Sequence, residues 1–224
     1  MTPAPRQLPL DLPHRPALDR ADFLVAPANR AALAWLDRWP DWPGPALVVV
    51  GPPGSGKSHL AAVFAARSGA VMLAPKDLPG ADPLALAEVG AVVLDDADRV
   101  DPPRPLLHLW NLLREAGGHL LLIASRPPAR WGVGLRDLDS RLRTAPVATI
   151  EPPDDALFAA VLVKLFADRQ LALDPAAVRY LVGHMERSFA AARRLAETAD
   201  RLALAEKRPI TLPLLRRALE PGLG

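Results

Sequence analysis

The residues most able to do chemistry are gathered in Gly51-Pro52-Pro53-Gly54-Ser55-Gly56-Lys57-Ser58, which fits G-x-x-x-x-G-K-[ST]. Glycines let backbone N–H groups turn inward around phosphate oxygens, and a following helix N-terminus adds a favourable dipole. Lys57 then reaches the β- and γ-phosphates, and Ser58 holds Mg²⁺. The segment expected to touch nucleotide runs through His59. A phosphate loop needs a second, acidic site at the end of another buried strand, and AVVLDD supplies it. Asp95 is expected to engage Mg²⁺, and Asp96 to orient the attacking water. Ser125 ends the apolar run HLLLIA and is the next candidate for meeting water or γ-phosphate, with Arg126 its alternative by a one-residue shift.

These residues need strands and helices to position them. The apolar runs 46–50, 70–74, 91–95, 119–124 and 146–150 have strand length, and most are apolar throughout, as in a parallel sheet covered on both faces. Segments 28–39, 57–67, 104–116 and 136–143 read as helices. After Pro152-Pro153 the strands stop, and 154–169, 174–185, 187–206 and 211–219 read as helical, with Asp174-Pro175 a cap followed by proline at the first helical position. The expected organisation is an extended leader (1–17), an α/β nucleotide-binding domain (18–152) and a small helical lid domain (153–224).

Composition narrows the function classes. The chain has 224 residues, half of them hydrophobic and 23% charged, with a net charge of +2. That charge gives no field of the kind that advertises duplex DNA binding. Without cysteine, disulfides, thiolate metal sites and cysteine nucleophiles drop out. No apolar run is long enough to span a membrane and no signal layout stands at the N-terminus, so a cytoplasmic location with no membrane partner is expected. Arginine outnumbers lysine 23 to 4, which makes Lys57 stand out.

A phosphate loop, an acidic strand end, a polar strand end and a helical lid together resemble an AAA+ P-loop NTPase: a five-stranded parallel sheet flanked by helices, followed by a C-terminal lid. Phe23-Leu24-Val25-Ala26-Pro27-Ala28-Asn29 resembles the adenine-pocket segment of the DnaA family, though Ala26 stands where that family has glycine. Ser125-Arg126-Pro127-Pro128 resembles its segment after the first sensor strand, and Asp139-Ser140-Arg141-Leu142 its arginine-finger motif. Glu186-Arg187-Ser188 sits where the lid sensor arginine begins a helix.

The resemblance covers about residues 18–219 and is nearest to the short, Hda-type DnaA relatives, since the chain ends after the lid, where full DnaA proteins continue into a DNA-binding domain. Those relatives begin with a clamp-binding peptide, which QLPLDL resembles through Gln7, Leu8, Leu10, Asp11 and Leu12. The resemblance implies binding of ADP or ATP with Mg²⁺, ADP being the active ligand. Val25, Asn29 and Arg187 would join the phosphate loop in holding it. It implies weak intrinsic ATPase activity and a main role in activating hydrolysis by DnaA. The implied partners are the sliding clamp (β subunit) and ATP-bound DnaA, with DNA reached through the clamp and nucleotide-dependent self-association. Arg141 would act in trans, and Asp96 and Ser125 complete the catalytic set. A helicase loader of the AAA+ class is the alternative. A small-molecule P-loop kinase fits less well, because a helical lid led by one arginine is not a substrate cleft.

Overall fold

The computed structural model describes residues 27–220. The leader with Gln7, Leu8, Leu10, Asp11 and Leu12, and Val25 of the adenine segment, lie outside the described residues. Five parallel strands, β1 (Ala46–Val50), β2 (Val71–Leu73), β3 (Ala91–Leu94), β4 (His119–Ala124) and β5 (Val147–Thr149), form one sheet in the order β2-β3-β4-β1-β5. The three central strands are almost wholly buried, which is why their sequences are apolar without alternation.

Successive residues of these strands still part to opposite faces. Val48, Val50, Val92, Leu94, Leu120 and Leu122 join a core closed by α3 (Pro83–Val89), α4 (Arg104–Ala116) and α5 (Arg136–Thr144). Leu47, Val49, Val93, Leu121 and Ile123 join a second core under α1 (Pro27–Asp37) and α2 (Lys57–Ser68). On α1 the buried positions are Asn29, Ala32, Leu33 and Leu36, one face of a helix that starts on proline. Helix α3 was not expected from its short apolar content. Its signals are local: the Asp82 side chain accepts from the Leu84 and Ala85 amides, proline follows at the first position, and Gly90 ends the helix at φ +81°.

A third core belongs to α6 (Asp155–Ala167), α7 (Pro175–His184), α8 (Phe189–Glu206) and α9 (Leu212–Ala218), around Phe158, Phe166, Leu181, Leu195 and Leu215. Asp154, Asp174 and Ser188 cap the first three of these helices through side-chain oxygens. Because Ser188 is a cap, α8 begins at Phe189, and Arg187 precedes the helix it was expected to begin. Among the described residues no helix is long and apolar enough to cross a membrane.

Candidate nucleotide site

The strand order sets the C-terminal ends of β3, β4 and β1 side by side. Val50 is level with Ala124, and the Gly51 amide donates to Ala124 O at 3.2 Å, so the phosphate loop leaves the sheet beside Ser125. Asp95 and Asp96 leave β3 on the other side of β4.

The loop is built for inward-facing amides. Gly54 (φ +73°) and Gly56 (φ +93°) take left-handed conformations that side chains disfavour. The first amide bonded back into α2 is that of Leu60, to Gly56 O at 3.0 Å, so the Lys57 and Ser58 amides precede the helical ladder. Lys57 shares the buried face of α2 with Leu60, Ala61 and Phe64, and that face carries its side chain under the loop. Its Nζ donates to Gly51 O (2.7 Å) and Pro52 O (2.8 Å). Burial strips water from the ammonium and lowers its pKa, while the charges of Asp95, Asp96 and Asp98 act in the opposite direction. Ser55 Oγ is buried with no hydrogen-bond partner among the described residues. Left-handed glycines, Lys57 and Ser58 amides ahead of the helical ladder, a lysine held at the loop and a buried hydroxyl without a partner among the described residues fit a polyphosphate. Ser58 is exposed at the start of α2, and Asp95, half-buried just past the end of β3, accepts from the Asp96 amide through Oδ1 at 3.0 Å.

The acidic strand end holds a residue the sequence reading passed over. Asp98, two positions after Asp96, is buried, and its Oδ2 accepts from Arg126 Nε at 3.1 Å. Arg126 Nη2 donates to Asp98 O, and Trp131 Nε1 donates to Arg126 O at 2.7 Å. Arg126 is thereby turned to Asp98, and Ser125 stands half-buried at the strand end with its amide 3.4 Å from Asp98 Oδ1. The third acid of DDADR was the available signal. Asp96 has φ +53°, a conformation in which aspartate is several-fold enriched, and its carboxylate pairs with Arg99 at 3.4 Å.

The lid meets the loop directly. The Phe189 amide donates to Gly54 O at 2.7 Å. A Cβ on Gly54 would lie 2.8 Å from Ser188 Cβ and 3.2 Å from Ala190 Cβ. Arg187, one residue earlier, pairs instead with Asp155 at the start of α6, at 2.7 Å. Asn29 is buried on α1, and His59 half-buried on α2. Arg141 lies on α5, away from the loop in sequence, and forms a two-point pair with Asp137: Nε to Oδ1 at 2.8 Å and Nη2 to Oδ2 at 3.2 Å. That hydrogen bond is the main reason the Asp137 carboxyl lies below the usual carboxylate range.

Comparison with known proteins bears on both parts of the molecule. Residues 155–219 match the family model described as Hda, lid domain. The fold is similar to that of domain III of the replication initiation protein DnaA from Thermotoga maritima, with a TM-score of 0.76 at 18% identity over 93% of this chain and 98% of that one. It is also similar to AMPPCP-bound DnaA from Aquifex aeolicus (TM-score 0.68, 17% identity, 86% of this chain and 66% of that one). A third similar structure is the FIGL-1 AAA domain in complex with ADP (TM-score 0.62, 14% identity, 86% and 78%). The chain thus joins a C-terminal segment that matches the Hda lid model to a body with the fold of DnaA domain III and of other AAA domains.

Proposed function

We propose that this protein is a DnaA-type regulator of replication initiation that binds nucleotide itself and stimulates ATP hydrolysis by DnaA, so repressing re-initiation. The observation that carries the reading is an Hda lid bonded, through Phe189 and Gly54, to a phosphate loop of a DnaA-like body. ADP or ATP with Mg²⁺ supplies the polyphosphate and metal charge for which the loop amides, Lys57, Ser58 and Asp95 are the holders. Asn29, Val25 and Arg187 are assigned to the same nucleotide, and Asp96 and Ser125 to water at the strand ends. Gln7, Leu8, Leu10, Asp11 and Leu12 bind the sliding clamp as an extended peptide, the leucines entering an apolar groove. Arg141 is offered to ATP on DnaA, where a planar guanidinium neutralises charge that develops in the transition state. Arginine fingers of this kind supply roughly 10³ to 10⁵ in rate.

The test is reconstituted. DnaA carrying labelled ATP is mixed with this protein and clamp loaded on DNA, and conversion to ADP is followed. Stimulation is expected only with both components. It is expected to vanish in a Gln7→Ala, Leu10→Ala, Leu12→Ala variant, which loses the clamp, and in Arg141→Ala, which keeps clamp and nucleotide. Full stimulation by Arg141→Ala refutes the mechanism. Co-purification with helicase but not clamp assigns the protein to the loader class instead.

A further inference from the structure

We infer that Asp137 is a positioning residue for the trans arginine: its carboxylate grips one edge of the Arg141 guanidinium so that the adjacent Nη1–Nη2 edge meets the partner's nucleotide. The inference rests on the trans role proposed for Arg141 and deepens it. The two contacts, Nε to Oδ1 and Nη2 to Oδ2, form the parallel fork typical of arginine and carboxylate. A guanidinium has five donors in a fixed plane. The fork uses two of them on one edge, and leaves Nη1 and the outer hydrogen of Nη2 for a second planar acceptor.

The surroundings favour holding over masking. Arg141 is 21% exposed at its side chain and Asp137 54%, so the arginine is largely packed and the acid stands outside it. Both project from α5, whose Leu138 and Leu142 are fully buried and fix the helix to the body. An i, i+4 pair whose acid is exposed adds little to stability. Its consequence is orientation: a side chain rich in rotamers is ordered before the encounter rather than during it. The same helix carries a second, one-point pair for comparison. Asp139 and Arg143 have the same spacing, and Nε to Oδ2 is again 2.8 Å.

Full-length Asp137→Ala, Asp137→Asn, Arg143→Ala and Arg141→Ala variants are titrated in the DnaA–ATP hydrolysis assay on clamp-loaded DNA. The titration separates the half-saturating concentration from the maximal rate. Asp137→Ala is expected to lower the maximal rate by about tenfold or more, as misplacement by an ångström does, with half-saturation unchanged. Asp137→Asn, which keeps one acceptor, falls between, and Arg143→Ala behaves as wild type. Equal urea unfolding of Asp137→Ala and Arg143→Ala excludes a generic loss of helix. A wild-type or faster maximal rate for Asp137→Ala overturns the assignment, as does an equal loss in Arg143→Ala. If Arg141→Ala is inactive while Asp137→Ala is fully active, only the positioning role falls. If Arg141→Ala stimulates normally, the trans-arginine reading falls and the positioning role with it.

Discussion

Replacing Gly54 by alanine tests how closely lid and phosphate loop are fitted. Two costs add. Alanine at φ +73° pays the left-handed penalty, roughly 1–2 kcal/mol. The new methyl also lies 2.8 Å from Ser188 Cβ and 3.0 Å from its Oγ, an overpacking worth roughly 1–3 kcal/mol. The variant is therefore expected to be less stable by about 2 to 5 kcal/mol, or about 1 to 2.5 M in urea midpoint at a slope of about 2 kcal/mol/M. Ser188→Gly removes the two nearest atoms and, as a cap change to glycine, costs only about 0.3 kcal/mol alone. In the double variant it should restore the overpacking part and leave the backbone part, a coupling of about 1 to 3 kcal/mol. Unfolding is followed by two signals, because all five tryptophans precede residue 132 and report the sheet, whereas circular dichroism also reports the lid helices. Gly54→Ala within about 0.5 kcal/mol of wild type, or no recovery in the double variant, refutes the fit described for this contact.

Lys57→Met should abolish binding of a fluorescent ADP analogue while the chain stays folded. Its pKa is lowered by burial, so between that lowered value and the ordinary 10.5 the unfolded chain binds more protons. Lys57 therefore makes stability rise as pH climbs through that window, and urea titrations should show a flatter rise for Lys57→Met. Arg126→Ala leaves the buried Asp98 carboxylate without its guanidinium partner and should cost about 1 to 3 kcal/mol in urea unfolding.

Local order in the sequence made much of this architecture readable. ALVVV and HLLLIA became β1 and β4 without a residue's difference, because strands buried on both faces carry their signal in every position. The segment 104–116 is α4 as expected, with Leu106, Leu109, Trp110 and Leu113 on its buried face. Helix α3 escaped because seven residues, under two turns, are too few to show a period, although Asp82-Pro83 and Gly90 marked both its ends. The site was legible where chemistry is written in a contiguous motif, as at Lys57, and obscure where it depends on residues far apart in the chain. Arg187 is read from its local segment as the lid arginine, and nothing near it in sequence announces its pairing with Asp155, some thirty residues away. Asp98 was hidden for the same reason: its guanidinium partner follows the next strand.

The bond from Phe189 to Gly54 acts through a peptide plane rather than a side chain. In a trans peptide the carbonyl and the following amide point in opposite directions. Gly54 O faces the lid, and the Ser55 amide on the same plane donates to Pro52 O at 3.2 Å. Any displacement of α8 must either break the first bond or turn that plane, and turning it reorients an amide inside the loop. Such a crank is invisible to alanine scanning, since no side chain belongs to it. An ester in place of the Phe189 amide would remove the link and leave every side chain in place.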